Sequence, residues 1–175
     1  GLSLYFVSTR PGGLGMTDIW VSQRRCADCP WAPPVNLAMV NSAFADGGPS
    51  LSTDGHLLFF HSDRPGGHGG TDIWVSRRSS PNDDFGWEPP INLGEDVNTS
   101  ASEFTPHYVQ TGDFYVENAG APANAGALYF GRGPDVASQD MYVAPLTRDG
   151  QTAGPAVLVG ELNSNTNDAS PTVRT

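Results

Sequence analysis

Lysine is absent from this chain. Among its 175 residues the nine basic side chains are all arginine, set against 19 acidic ones for a net charge of −10. A field of that sign repels phosphate backbones and anionic lipid, which argues against nucleic acid and membrane surfaces as partners. It leaves other proteins, cations and small neutral or cationic ligands. Long apolar runs are missing as well: nothing approaches the ~18 consecutive apolar residues of a membrane-spanning helix. The start carries no charged stretch followed by an apolar run, so no signal peptide is read there. Helical periodicity is lacking throughout, and almost no helix is expected. Cysteine is scarce, with Cys26 and Cys29 forming one C-x-x-C in "RRCADCPW". A zinc site would need two further ligands at matching spacing, and a thioredoxin-type site needs a strand-to-helix setting; the flanks offer neither. A short local disulfide is expected ahead of free thiols or a metal or redox site.

What the chain has in quantity is glycine (21) and proline (15), and they fall between short apolar runs as in a turn-rich all-β protein. The length suits one domain, or at most two small ones. Internal repetition settles most of the organisation. "LYFVSTRPGGLGMTDIWVS" (Leu4 to Ser22) and "LFFHSDRPGGHGGTDIWVS" (Leu58 to Ser76) agree at 14 of 19 positions without a gap. A variable loop follows each, then "WAPPVNL" or "WEPPINL", then an acidic residue with a proline three later. Asp46 with Pro49, Glu103 with Pro106 and Asp168 with Pro171 carry that last mark, and "LYFGRGPDVASQDMYVA" (Leu128 to Ala144) is a worn third copy.

Each unit resolves into four short strands. "PSLST", an Asp54-Gly55 turn and "LLFFHS" make one hairpin. Pro65-Gly66-Gly67, whose proline presets φ and whose glycine supplies φ > 0, turns the chain as a type II turn into "DIWVS". A polar loop then leads to "INL". Four antiparallel strands repeated every 55 to 65 residues is the arithmetic of a β-propeller blade. The expected fold is therefore all-β, one propeller segment of about three blades spanning roughly 1–47, 48–104 and 105–169. The sequence opens in a second strand, and 170–175 ("SPTVRT") matches a first strand, belonging to a further blade or closing the first. A piece of a longer propeller is the leading expectation, ahead of two copies completing six blades or a closed three-blade form.

The acidic-x-x-Pro mark, the "LFFHSDRPGGHGGTDIWVS" hairpin and "W-x-P-P-x-N-L" together resemble the TolB-type, WD-like β-propeller repeat over nearly the whole chain. The second unit matches best, and the third departs where RPGG has become "RGPD". That resemblance implies a non-catalytic protein-binding or scaffold module exported to the periplasm or cell surface of a bacterium. The alternative is a carbohydrate-binding or carbohydrate-active propeller, a lectin or glycosidase.

"RPGGLGMTDIW" at first suggests a phosphate loop, but such a loop must open a helix, and here the glycines open a strand. Arg10, Arg64 and Arg132 end the second strand of each unit, while Asp18, Asp72 and Asp140 begin the third. Either an Arg–Asp pair across the hairpin or an aspartate cap on the turn N–H groups is expected; a ligand-binding ring of arginines is the sharper alternative. Asp46, Glu103 and Asp168 precede the innermost strands and would gather at the mouth of an axial channel. Carboxylates held close raise one another's pKa unless a cation neutralises them. An axial Ca²⁺ or a basic peptide end is thus a candidate ligand, set against carboxylates that merely accept N–H bonds from the neighbouring blade; no other cofactor is indicated. "NSNTND" (Asn163 to Asp168) alternates oxygen-bearing side chains as calcium loops do, but lacks their Gly and final Glu, and reads as a polar loop. Trp20, Trp74 and Tyr142 are expected in the core, Trp31 and Trp87 nearer the surface. Chemistry has little to build on: there is no G-x-S-x-G, and His56, His61, His68 and His107 fall at unmatched positions. The equivalence of the three acids between units assigns them to the fold rather than to glycoside cleavage.

Overall fold

Short runs of β-branched and aromatic residues broken by glycine and proline become strands here. The computed structural model describes residues 1–110 and 126–171, and among these it contains eleven strands and no α-helix. They form three antiparallel sheets in chain order. Sheet 1 holds β1 (Ser3–Ser8), β2 (Asp18–Gln23) and β3 (Val35–Asn36) in that order. Sheet 2 holds β4 (Asp46–Leu51), β5 (Leu57–Ser62), β6 (Asp72–Arg77) and β7 (Ile91–Asn92). Sheet 3 repeats the scheme with β8 (Ser102–Gln110), β9 (Gly126–Gly133), β10 (Asp140–Leu146) and β11 (Val157–Leu158). The first strands of sheets 2 and 3 start slightly before the expected unit boundaries, so Asp46 and Glu103 lie inside strands rather than ahead of them. Of the expected strand at 170–175, residues 172–175 lie outside the described residues; Ser170 and Pro171 are not in a strand.

Apolar side chains on both faces of sheet 2 fix how the sheets stack. Successive residues of a strand point to opposite faces, so Leu58 and Phe60 face one way while Leu57 and Phe59 face the other. The first pair joins Ile19, Val21, Leu37, Val40, Trp74 and Trp87 in a core between sheets 1 and 2. The second joins Ile73, Val75, Leu93, Tyr108, Leu128 and Phe130 in a core between sheets 2 and 3. Phe59, Phe60 and Leu58 are wholly buried, each contributing roughly 1.5–3 kcal/mol of transfer free energy. This is why "LLFF" is a continuous apolar run and not an alternating one. The matching strand of sheet 1 is half-exposed, with Leu4 48% and Val7 39% accessible.

Sheet-to-sheet connections reuse one asparagine. Asn41 accepts a hydrogen bond from Ile19 N and donates one to Ile19 O, both 2.8 Å. Asn98 does the same to Ile73 (2.8 and 2.9 Å) and Asn163 to Met141 (2.7 and 3.0 Å). The side-chain oxygen thus supplies an acceptor that the short outer strand does not, satisfying a backbone N–H that burial would otherwise leave unpaired. The amide nitrogen adds a second bond to a carbonyl already held by the N–H of Leu37, Leu93 or Val159. Asn98 is 1% exposed. Asn98→Ala is expected to lower the free energy of unfolding by roughly 2–3 kcal/mol, because Ile73 N–H would be stranded in the core; urea denaturation followed by tryptophan fluorescence measures this.

Candidate functional site

The residues singled out in the sequence assemble into a staple between consecutive sheets, with the acid at its centre. Asp46 belongs to the first strand of sheet 2, yet its N–H donates to Thr17 O of the preceding unit at 2.9 Å. Its carboxylate accepts from Ser42 N (2.6 Å) and Ser42 Oγ (2.9 Å) in the connecting loop, and from Arg64 Nη2 at 2.5 Å. Arg64 in turn donates to Val40 O (2.7 Å) and Ser62 Oγ (2.9 Å). Its guanidinium lies over Phe60 and Trp74, 5.0 and 5.2 Å from the ring centroids, so cation–π attraction adds to the ion pair. Both Asp46 and Glu103 are 0% exposed. A buried charge is tolerable only when paired and fully hydrogen-bonded, and each of these carboxylates meets that demand.

Glu103 repeats the arrangement with a compensated change. Its N–H donates to Thr71 O (2.7 Å), and its carboxylate accepts from Thr99 N and Oγ1 and from Arg132 Nε at 2.9 Å. Arg132 donates to Val97 O at 2.7 Å and sits over Tyr142 and Phe130. Register shows that Arg132 is not the positional equivalent of Arg64. Arg132 stands opposite Asp140, as Ser62 stands opposite Asp72, so it lies two residues earlier in its strand. The longer glutamate meets the displaced arginine, and the guanidinium still reaches the aromatic pair and the carbonyl. Burial pushes the Glu103 carboxyl up from its ordinary pKa, outweighing the Thr99 and Arg132 bonds that pull it down.

Arg64 and Arg132 therefore reach back to the acid of the first strand and do not pair across the hairpin. Asp18 and Asp72 take the other expected role, as turn caps. Asp18 accepts from Leu14 N and Gly15 N, and Asp72 from His68 N at 2.7 Å. The double glycine follows from this. Gly12 and Gly66 carry φ of 92° and 98°, as the third position of a type II turn requires. A Cβ on Gly13 or Gly67 would fall 2.1 or 1.4 Å from the aspartate oxygen. Asp140, beside the altered "RGPD" turn, stands opposite Arg132 without an ion pair.

Asp46, Glu103 and Asp168 are not brought together. Among the described residues no group of three His, Cys, Asp or Glu side chains could hold a metal ion. Asp168 has the loop half of the staple: its N–H donates to Gln139 O (2.8 Å), and it accepts from Ser164 N (2.6 Å) and Ser164 Oγ (3.0 Å). "NSNTND" is thereby the third member of a set with "NSAFAD" and "NTSASE". The pattern Asn-Ser/Thr-x-x-x-Asp/Glu was visible in the sequence, and the calcium-like alternation of one copy concealed it.

At the opposite end of the strands, a second arginine stacks on the tryptophan of each W-x-P-P segment. Arg78 lies 4.4 Å over Trp87 and donates to Gly55 O; Arg24 lies 4.5 Å over Trp31 and donates to Gly1 O. Arg78 is also paired with Asp84 at 2.8 Å. Asp84 collects Tyr5 OH (2.6 Å), Gln23 Nε2 (2.7 Å) and Ser3 Oγ from sheet 1. Burial pushes the Asp84 carboxyl up, but these four hydrogen bonds outweigh it and hold the group at about 2. Nothing in the repeats flagged Asp84, because only the second unit carries it; the first has the Cys26–Cys29 disulfide in that loop. Trp87 is 4% exposed, contrary to the surface position expected for it, because Tyr5 packs edge-on against it; Trp31 is 42% exposed. Trp20 and Trp74 are in the core as expected, under Arg10 and Arg64. A groove of about 740 Å³ runs past Arg24, Trp31, Asn82 and Asp84.

His61 and His68 do not meet. His61 is enclosed between Gly47, Gly48 and Phe104, and its Nδ1 accepts a hydrogen bond from Thr105 N of sheet 3 at 3.2 Å. Accepting there requires the neutral ring. Burial depresses its pKa to about 4, against the smaller pull of Asp46 and Asp63. In the unfolded chain His61 binds its proton near 6.5, so the unfolded state gains protons first as pH falls and stability drops between about 6.5 and 4. The full loss from this group is on the order of 3 kcal/mol. Equilibrium unfolding at pH 5 and pH 7.5 is expected to show that slope, and His61→Leu is expected to flatten it; an unchanged slope in the variant would place the acid sensitivity elsewhere.

No protein-family model matches the chain, and no curated protein is similar to it in sequence.

Proposed function

We propose that this chain is a segment of a TolB-type β-propeller acting as a non-catalytic binding or scaffold module in the bacterial envelope. One observation carries the reading: the polar residues that recur from unit to unit are engaged in internal bonds. Asn41, Asn98 and Asn163 cap strands, Asp18 and Asp72 cap turns, and Asp46 with Arg64 and Glu103 with Arg132 staple sheet to sheet. Residues spent in this way hold an architecture and are not poised for proton transfer or nucleophilic attack. Three consecutive antiparallel sheets stacked face to face, the second and third entered through the same kind of loop, are what blades of a propeller would show. The Cys26–Cys29 disulfide suits an oxidising, extracytoplasmic compartment.

Sequence freedom is concentrated at one end of the sheets. The hairpin end repeats its sequence, whereas the loops Arg24–Trp31 and Ser79–Trp87 differ in length and chemistry and border the large groove. Loops carried on a rigid scaffold are where recognition is placed. A photo-crosslinking residue at exposed Asp28 or Asn82, in protein exported to the periplasm, is expected to give a discrete adduct with an envelope protein, whereas one at His68 in the repeated hairpin gives none. Hydrolysis of a glycoside by the purified chain, abolished in a Glu103→Gln variant that melts normally, would overturn the reading in favour of a carbohydrate-active enzyme.

A further inference from the structure

The third unit departs from the first two at its hairpin, and a cavity lies there. Arg132 is the register equivalent of Ser62, and Asp140 of Asp72. Gly133 therefore stands where the second unit has Asp63, and Pro134 where it has Arg64. Asp63 accepts from Ala45 N at 2.7 Å, and Arg64 closes the staple onto Asp46 and Val40 O. Neither replacement repeats those contacts: Pro134 carries no polar side chain, and a Cβ on Gly133 would fall 1.8 Å from Ser138 O. A cavity of about 660 Å³ results where the hairpin of sheet 2 meets sheet 3. It is lined by Gly70 of that hairpin, by Ser100 of the connection, and by Ser102, Arg132, Asp140 and Tyr142 of sheet 3.

Two charged groups in this lining have hydrogen-bonding capacity to spare. Asp18 and Asp72 spend their carboxylates on turn N–H groups. Asp140 is half-buried, and its carboxylate makes no hydrogen bond or ion pair among the described residues. Arg132 gives Nε to Glu103 at 2.9 Å and Nη2 to Val97 O at 2.7 Å, and its Nη1 has no partner among them. The two residues stand opposite each other on neighbouring strands without pairing. A donor and an acceptor are thus held side by side, each short of a partner. Ser102 Oγ accepts from Thr71 N at 3.2 Å and keeps its own proton to donate.

We propose that this cavity binds a neutral sugar unit, one of whose hydroxyls accepts from Arg132 Nη1 and donates to the Asp140 carboxylate. A hydroxyl is the small group that does both at once. An anion would meet the Asp140 charge, and a cation would meet the guanidinium. The carboxylate of a zwitterion gains little, because Glu103 already matches the charge of Arg132. The hydroxyls of Ser100 and Ser102 serve further hydroxyls of the ring, and the volume lies within the roughly 300–1,000 Å³ of small-ligand sites. The sugar is bound and no bond in it is cleaved. The site lies at the end of the sheets opposite the variable loops, so it stands or falls independently of any partner bound there.

Protein-observed NMR tests it. Titration of the chain with glucose, galactose, mannose and N-acetylglucosamine at millimolar concentration is expected to shift the amides of Ser102, Gly133 and Asp140 saturably for at least one of these sugars. Glycine, phosphate and methylammonium are the charged comparisons and are expected to bind more weakly. Asp140→Ala removes the acceptor and is expected to weaken sugar binding about tenfold or more, the loss of one hydrogen bond to a charged group. Ser100→Trp fills the cavity from an exposed position and is expected to abolish binding. Neither substitution touches the staple, so both variants should melt as the wild type does. A chain whose amides none of the sugars shifts overturns the proposal. So does sugar binding that survives both substitutions, or a charged probe that binds more tightly than every sugar.

Discussion

A carboxylate buried at the joint between two sheets, held by an arginine that is itself laid on two aromatic rings, is the constraint on which the other features depend. The acid could not sit there alone, since desolvating an unpaired carboxylate costs far more than a fold of this size can spare. The arginine reaches it from the end of the second strand in sheet 2 and from within that strand in sheet 3. The tryptophan or tyrosine of the third strand forms the platform. The serine or threonine four residues before the acid completes its hydrogen bonds. Asparagine one residue earlier ties the same loop to the previous sheet. Residues scattered along the repeat thus converge on one point, and the joint is built from backbone groups, a hydroxyl, a carboxylate and a guanidinium.

This arrangement accounts for features that otherwise look unrelated. Arginine occupies these positions in place of lysine because the planar guanidinium can stack on an aromatic face and donate to an acid, a hydroxyl and a carbonyl at once. "LLFF" in sheet 2 is apolar on both faces because sheets lie on both sides of it. The third unit lost the RPGG turn yet kept its joint: moving the arginine two residues toward its strand interior is matched by lengthening aspartate to glutamate. What the repeat preserves is the position of charge and ring in space, and the sequence position follows only loosely.

That looseness marks what could be read from residues alone. Strand order, the absence of helix among the described residues and the three-stranded first sheet were legible, because turn chemistry and periodicity are local signals. Capping by Asp18 and Asp72 was legible as one of two readings, the other being an ion pair with the hairpin arginine. The partner of Arg64 was not: sequence proximity pointed to Asp72 across the hairpin, whereas Asp46 reaches the guanidinium from β4, the neighbouring strand on the other side of β5. Asn41, Asn98 and Asn163 stand in a legible repeated pattern, but their bonding role is not legible because their partners are main-chain groups. Asp84 and the burial of Trp87 depend on Tyr5 and Ser3 in another sheet, and no pattern within one unit contains that information.

The central claim is that Asp46 and Arg64 act as a unit that holds sheet 2 to its neighbour. A double-mutant cycle with Asp46→Ala and Arg64→Ala, read by urea denaturation, measures this most directly. The account predicts that each single substitution costs about 3–5 kcal/mol, as expected when one partner of a buried pair is removed. The double variant should cost much less than their sum, giving a coupling of roughly 2–3 kcal/mol. Additive losses, with coupling near zero, would contradict it and show that the two side chains stabilise the fold independently.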